Sequence, residues 1–96
     1  MKPLIARTAR FDAMRDAVVI DRADAEVVVS RGALEAWFGR AVPPAAAVAR
    51  ALSMEPVLRR AANAVAPDDG TVTITARGLN AQREALDRER EAENAD

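Results

Sequence analysis

Apolar and polar positions change period several times along this chain, and each change marks an element. Residues 1–16 show no clear period, and Phe11-Asp12 followed by Arg15-Asp16 reads as a loop or short edge element leading into a strand. Two β-branched runs follow, Ala17-Val18-Val19-Ile20-Asp21 and Glu26-Val27-Val28-Val29-Ser30, joined by Arg22-Ala23-Asp24-Ala25. Valine and isoleucine fit a pleated surface because their stiff χ1 costs little there, so the pair predicts a hairpin. The Asn-Gly or Asp-Gly dipeptide that favours a tight hairpin turn is missing at this point.

Helical spacing takes over after Ser30, whose hydroxyl can cap the first turn. Leu34, Trp37 and Phe38 fall at i, i+3 and i+4 and are expected to be core, with Gly39 as the stop signal. Pro43-Pro44 opens a second helix with Val48, Ala51 and Leu52 as its stripe. Ser53-Met54-Glu55-Pro56 predicts either a break or a kink at Ser53, with Ser53 as the next cap and Pro56 harmless in a first turn. Leu58, Ala61, Ala62 and Val65 then give an amphipathic helix that ends before Pro67. Asp68-Asp69-Gly70 reads as a turn. Thr71-Val72-Thr73-Ile74-Thr75-Ala76 alternates strictly, as a strand with one buried face does.

The order of elements predicts an α+β fold: a small two-layer domain with a three-stranded, antiparallel or mixed sheet and helices packed on one face. Residues 1–80 form that domain, and 81–96 are a charged C-terminal tail, helical or frayed. The tail is rich in helix formers but offers only Leu79, Ala85 and Leu86 as contacts, so it is expected to fold only by docking and to fray beyond about Glu89.

Strand parity divides the sheet. If Val18, Ile20, Val27, Val29, Val72 and Ile74 face the helices, then Val19, Val28, Thr71, Thr73 and Thr75 face the other way. That second face is neither polar nor apolar. It is either left to water or covered by a second copy, another protein or the tail. Val19, Val28, Thr73 and Leu86 are therefore the candidate interaction surface.

Composition narrows the chemistry. The 96 residues suit one domain. Alanine supplies 23 of the 48 hydrophobic residues, so 25 larger side chains must build the core. No apolar run approaches the roughly 20 residues needed to span a bilayer. The start, Met1-Lys2-Pro3-Leu4-Ile5-Ala6-Arg7, meets an arginine before a signal-type apolar region develops, so a cytoplasmic location is expected. Charge is nearly balanced, with 14 basic and 15 acidic residues. Such a balance lacks the field of a dedicated nucleic-acid binder, although Arg31, Arg40, Arg50, Arg59 and Arg60 could line a phosphate-contacting helical face.

Cysteine, histidine and tyrosine are all absent. Thiolate chemistry goes with the first, and the commonest general base with the second. Ser30 and Ser53, the only serines, sit where caps are needed, and Lys2 is the only lysine that could activate one. Asp21, Asp24 and Glu26 are close in sequence, but without a glycine turn they lack the spacing of a calcium loop and read as a solvated hairpin tip. Gly32, Gly39, Gly70 and Gly78 are scattered, so no phosphate loop forms. No catalytic residue, cofactor or metal is expected.

Several segments together resemble a known family: Phe11-Asp12, the two valine-rich strands with Ala33-Leu34, Ala51-Leu52, the Leu58 to Ala62 helix, and Gly70-Thr71-Val72-Thr73-Ile74-Thr75. It is the small bacterial family called domain of unknown function 1488, and the resemblance covers roughly residues 11–80. The chain departs from the family pattern at Leu79-Asn80, where an acidic-aromatic pair is expected, and near Glu55, where a basic residue is expected. The resemblance implies an α+β fold and a bacterial protein, and it brings no site residue. The expected role is a non-catalytic interaction or regulatory accessory module, acting on a protein partner or by self-association. The alternative is a weak nucleic-acid-associated factor, and an enzyme comes third.

Overall fold

A computed structural model describes residues 2–93. The elements run β1 (Leu4–Asp12), β2 (Ala17–Arg22), β3 (Ala25–Ser30), α1 (Arg31–Phe38), α2 (Pro44–Ser53), α3 (Glu55–Asn63), β4 (Thr71–Ile74) and α4 (Ala76–Glu93). The class is α+β, and the sheet has four strands in the order β1-β2-β3-β4. One strand more than predicted is present because residues 4–12 pair antiparallel with β2. Their period is hidden by an irregularity: Ile5 pairs with Asp21 and Arg10 with Val19, so residues 6–9 stand opposite Ile20 alone. Thr8 repairs the gap, its Oγ1 accepting from the Asp21 N–H at 2.8 Å. No helix among the described residues is long and apolar enough to cross a membrane.

β2 and β3 pair in full register from Ala17 opposite Ser30 to Arg22 opposite Ala25, and β3 pairs parallel with β4. The β2–β3 connection is thus only Ala23-Asp24, shorter than the sequence suggested, with neither residue at positive φ. Arg22 extends the strand because its side chain turns inward and is 2% exposed. Its Nε and Nη2 donate to the two Asp24 carboxylate oxygens at 2.6 and 3.2 Å, and its Nη1 donates to the Ala62 carbonyl at 3.3 Å. A cation there complements the carbonyl end of α3.

The inward-facing residues Val18, Ile20, Val27, Val29, Val72 and Ile74 all belong to the main core, with Leu34, Ala51, Leu58 and Leu79 from the helices. Fully burying one such large side chain stabilises by about 1.5–3 kcal/mol. Ser30 caps α1, its Oγ accepting from the Ala33 N–H at 3.0 Å, and Gly39 ends the helix in the left-handed region at φ 68°. The cap expected from Ser53 is not formed. Helix α2 runs through Ser53, whose hydroxyl donates to the Arg50 carbonyl, and the break falls at buried Met54 instead. α3 ends at Asn63, so Val65 lies beyond the helix and is 41% exposed.

Both sheet edges are blunted. β1 carries the four-residue irregularity. At β4, Asp69 (φ 52°) and Gly70 (φ 77°) make a tight two-residue turn in which Asp68 and Thr71 exchange both backbone hydrogen bonds. Thr71 thereby uses the outward N–H and C=O that an added strand would need, which leaves Thr73 as the open position of that edge.

Candidate interaction surfaces

The four residues singled out from the sequence fall into three settings. Val19 and Val28 are buried, at 0% and 8% exposure, and with Ala17 form a small second core on the face away from the helices. Thr73 is exposed on the same face, and Leu86 lies half-buried on α4. The structure does not bring the four together.

Val19 and Val28 are covered from within the chain. Arg10 on β1 stands opposite Val19, and its Nη2 reaches Glu26 on β3 at 3.0 Å, so this ion pair spans β2. Arg15, from the β1–β2 turn, holds the other Glu26 oxygen at 3.2 Å and Asp12 at 3.3 Å. Arg10 also lies 3.7 Å from Asp21. Long arginine stems exclude water from the valines beneath while their heads stay solvated. Periodicity places Val19 and Val28 on this face but says nothing of the arginines that close over them, because Arg10 belongs to the strand whose period is broken.

The three acidic residues weighed as a cation site are divided among positive partners. Asp21 and Glu26 face Arg10, while Asp24 holds Arg22 and also Lys2, whose Nζ lies 2.6 Å away. These two cations, Lys2 foremost, hold the Asp24 carboxyl down at about 2. Among the described residues no three acidic groups converge as metal ligands would.

The helical arginines are also mostly engaged. Arg31, at the first position of α1, would oppose the helix dipole, and the Asp16 carboxylate offsets it through two bonds of 2.8 and 3.0 Å. This pair lowers the Asp16 pKa and raises that of Arg31. Arg60 and Glu89 form a similar two-point pair at 2.8 and 3.1 Å, which ties α4 to α3 and lowers the Glu89 pKa. Arg59 lies 3.8 Å from Glu55, and Arg50 covers the Phe38 ring at 5.5 Å. Of the five, Arg40 and Arg50 make no ion pair among the described residues, and Arg50 is engaged only by the Phe38 ring.

Trp37 and Phe38 were expected in the core and are half-buried against its edge. Ala33 and Leu34 fill the inward face of α1, and Trp37, near its end, reaches the seam with polar α4. Arg83 from α4 stacks on the indole, 4.0 Å from the ring centre, and its Nη2 donates to the Trp37 carbonyl at 2.7 Å. One arginine thus covers the ring and satisfies a carbonyl at the end of α1. Beside it lies a groove of about 280 Å³ lined by Trp37, Arg83, Leu86, Asp87 and Arg90. Leu86 was legible as one of the few apolar contacts of a polar helix. Its meeting with Trp37 was not, because it requires α1 and α4 to pack.

The 80/81 boundary drawn from composition falls inside α4, which begins at Ala76 with Thr75 as cap, its Oγ1 accepting from the Gly78 N–H at 3.1 Å. Leu79 is buried, and the helix packs on α1 and α3 of its own chain. It continues to Glu93, past the fraying point expected near Glu89, and residues 94–96 of the predicted tail lie outside the described residues. Compared with family models, with curated proteins and with solved structures, the chain finds no match.

Proposed function

We propose that this chain is a non-catalytic interaction or regulatory accessory module of the bacterial cytoplasm, and that it meets a protein partner at the α1–α4 groove. One observation carries the reading. Trp37, the single tryptophan, sits half-buried beside Leu86 and two arginines, and tryptophan and arginine are the residue types that most often anchor interfaces. Arg90 makes no ion pair among the described residues, so the groove suits a segment bringing an apolar side chain with a carboxylate beside it. The resemblance to domain of unknown function 1488 supports the bacterial setting and adds no site.

The test compares the native protein with Leu86→Asp and Arg90→Glu, neither of which touches the main core. Proteins retained by the native chain and lost from both variants, identified by mass spectrometry and rebuilt from purified components, would support the reading. Concentration-dependent mass in solution that both variants abolish would replace the partner by a second copy. A salt-sensitive gel shift with duplex DNA or RNA, lost on Arg40→Ala and indifferent to Leu86→Asp, would overturn it in favour of a nucleic-acid factor.

A further inference from the structure

A second concavity, of about 350 Å³, lies where α3 ends. It is lined by the polar residues Lys2, Arg22 and Asn63 and by the apolar residues Val65, Ala66 and Pro67. Its chemistry is unbalanced in two ways.

The first imbalance is in hydrogen bonds. A guanidinium carries five N–H donors. Arg22 uses three of them, one on Nε, one on Nη2 and one on Nη1, toward Asp24 and the Ala62 carbonyl. One N–H remains on each terminal nitrogen of a side chain that is 2% exposed and lines the cleft. Asp24 occupies the Nε–Nη2 edge, so the unused Nη2 donor is the one beside Nη1. Donors buried without acceptors cost free energy that an incoming acceptor recovers. Asn63 makes no bond to Arg22: its Nδ2 donates to the Lys2 and Arg59 carbonyls, and its Oδ1 accepts from the Lys2 backbone N–H.

The second imbalance is in charge. Two cations, Lys2 and Arg22, share one carboxylate, Asp24. A second single negative charge would balance them. Val65 meanwhile presents an aliphatic side chain to solvent beside Ala66 and Pro67.

We propose that this cleft binds a carboxylate bearing a short apolar tail, the carboxylate seated on the free N–H groups of Arg22 and on Lys2 Nζ, the tail on Val65 and Pro67. A planar carboxylate matches the fork of a guanidinium. A phosphate dianion would meet more repulsion from Asp24 and from the carbonyl end of α3. The same chemistry comes from a free alkanoate or from the C-terminus of a peptide ending in an apolar residue.

Amide chemical-shift titrations of the full chain at constant ionic strength separate these cases. The probes are hexanoate, hexanamide, N-acetyl-alanyl-leucine and the C-terminal amide of that peptide. Saturable shifts at residues 22–24 and 63–66 are expected with the two acids and not with the two amides. Tighter binding of the peptide acid identifies a chain terminus as the source, and tighter binding of hexanoate a small acid. Lys2→Gln should weaken the acids about tenfold, one charge-assisted hydrogen bond's worth. Val65→Asp should abolish binding while leaving the melting transition in place, since its side chain lies outside the core. Arg22→Met tests the guanidinium directly, and should it fail to fold, the other two variants decide. Equal response to hexanoate and hexanamide, no saturation at millimolar acid, or titrations unmoved by Lys2→Gln and Val65→Asp would overturn the proposal.

Discussion

Helices close one face of this sheet and ion pairs close part of the other, and the two closures follow different physics. On the helix side, Ile20 and its neighbours lie under α1, α2 and α3 and reach zero exposure through aliphatic packing. On the far side, Val19 reaches the same zero exposure one residue away on the same strand, under a lattice of Arg10, Arg15 and Glu26. Burial alone does not distinguish them. The first closure draws on the hydrophobic effect, which salt does not screen. The second depends on solvated charges whose attraction falls off within a Debye length of about 8–10 Å. A small chain in which nearly half the hydrophobic residues are alanine has few large side chains to spend on a second core, so charged residues with long stems take that role.

The comparison breaks hardest at β2. Ile20→Ala should cost about 2–5 kcal/mol in urea unfolding, through lost burial and the cavity left under the helices. Val19→Ala removes two carbons and should cost about 1–2 kcal/mol. If the two variants lost equally, the far face would be a core of the ordinary kind.

Helix α4 sharpens the contrast, because its hold combines both modes: buried Leu79, the Arg83–Trp37 stack and the Arg60–Glu89 pair. Deleting residues 81–96 keeps Leu79 and removes the two polar contacts with Leu86. A cooperative transition should survive, lowered by about 1–2 kcal/mol, with Trp37 emission shifted to the red. Unchanged melting together with unchanged emission would mean that α4 does not rest on α1 in solution.

Glu26→Gln removes the one carboxylate that both Arg10 and Arg15 hold. The expected loss is at most about 1 kcal/mol at low salt, disappearing at high salt, whereas the Ile20→Ala loss should hardly change with salt. Equal salt dependence of the two variants would erase the distinction between the faces.

The smallest effect concerns acid. The Asp24 carboxyl is held at about 2 in the fold against an ordinary value near 4, so its contribution is complete above that ordinary value and drains away as pH falls through about 2. Unfolding midpoints of the native chain and Asp24→Asn should therefore differ at pH above 4 and converge toward pH 2, by the same linkage. A constant gap across that window would show that Asp24 acts by shape and not by charge.

Alternation along the sequence by itself determined which residues of β4 face the helices, while in the unbroken apolar runs of β2 and β3 a period of two left two opposite sets and packing chose between them. The α1 boundaries were equally local, since Ser30 and Gly39 act within one turn of where they stand. The interruption near Ser53 was legible too, although its cap was not, because α2 keeps the serine hydroxyl for its own last turn. What only the tertiary structure decided depends on partners distant in the chain. β1 is a strand because β2 offers it an edge, and its residues 6–9 break any period that could have announced it. Val19 and Val28 are closed over because Arg10 and Arg15 arrive from that strand and its turn. Trp37 packs against the edge of the core, where α4, forty-odd residues later, brings Arg83 to its ring. Arg22 reads as a turn residue in sequence and becomes the most buried charge among the described residues, since Asp24 and the end of α3 supply what a lone guanidinium cannot go without in an apolar setting.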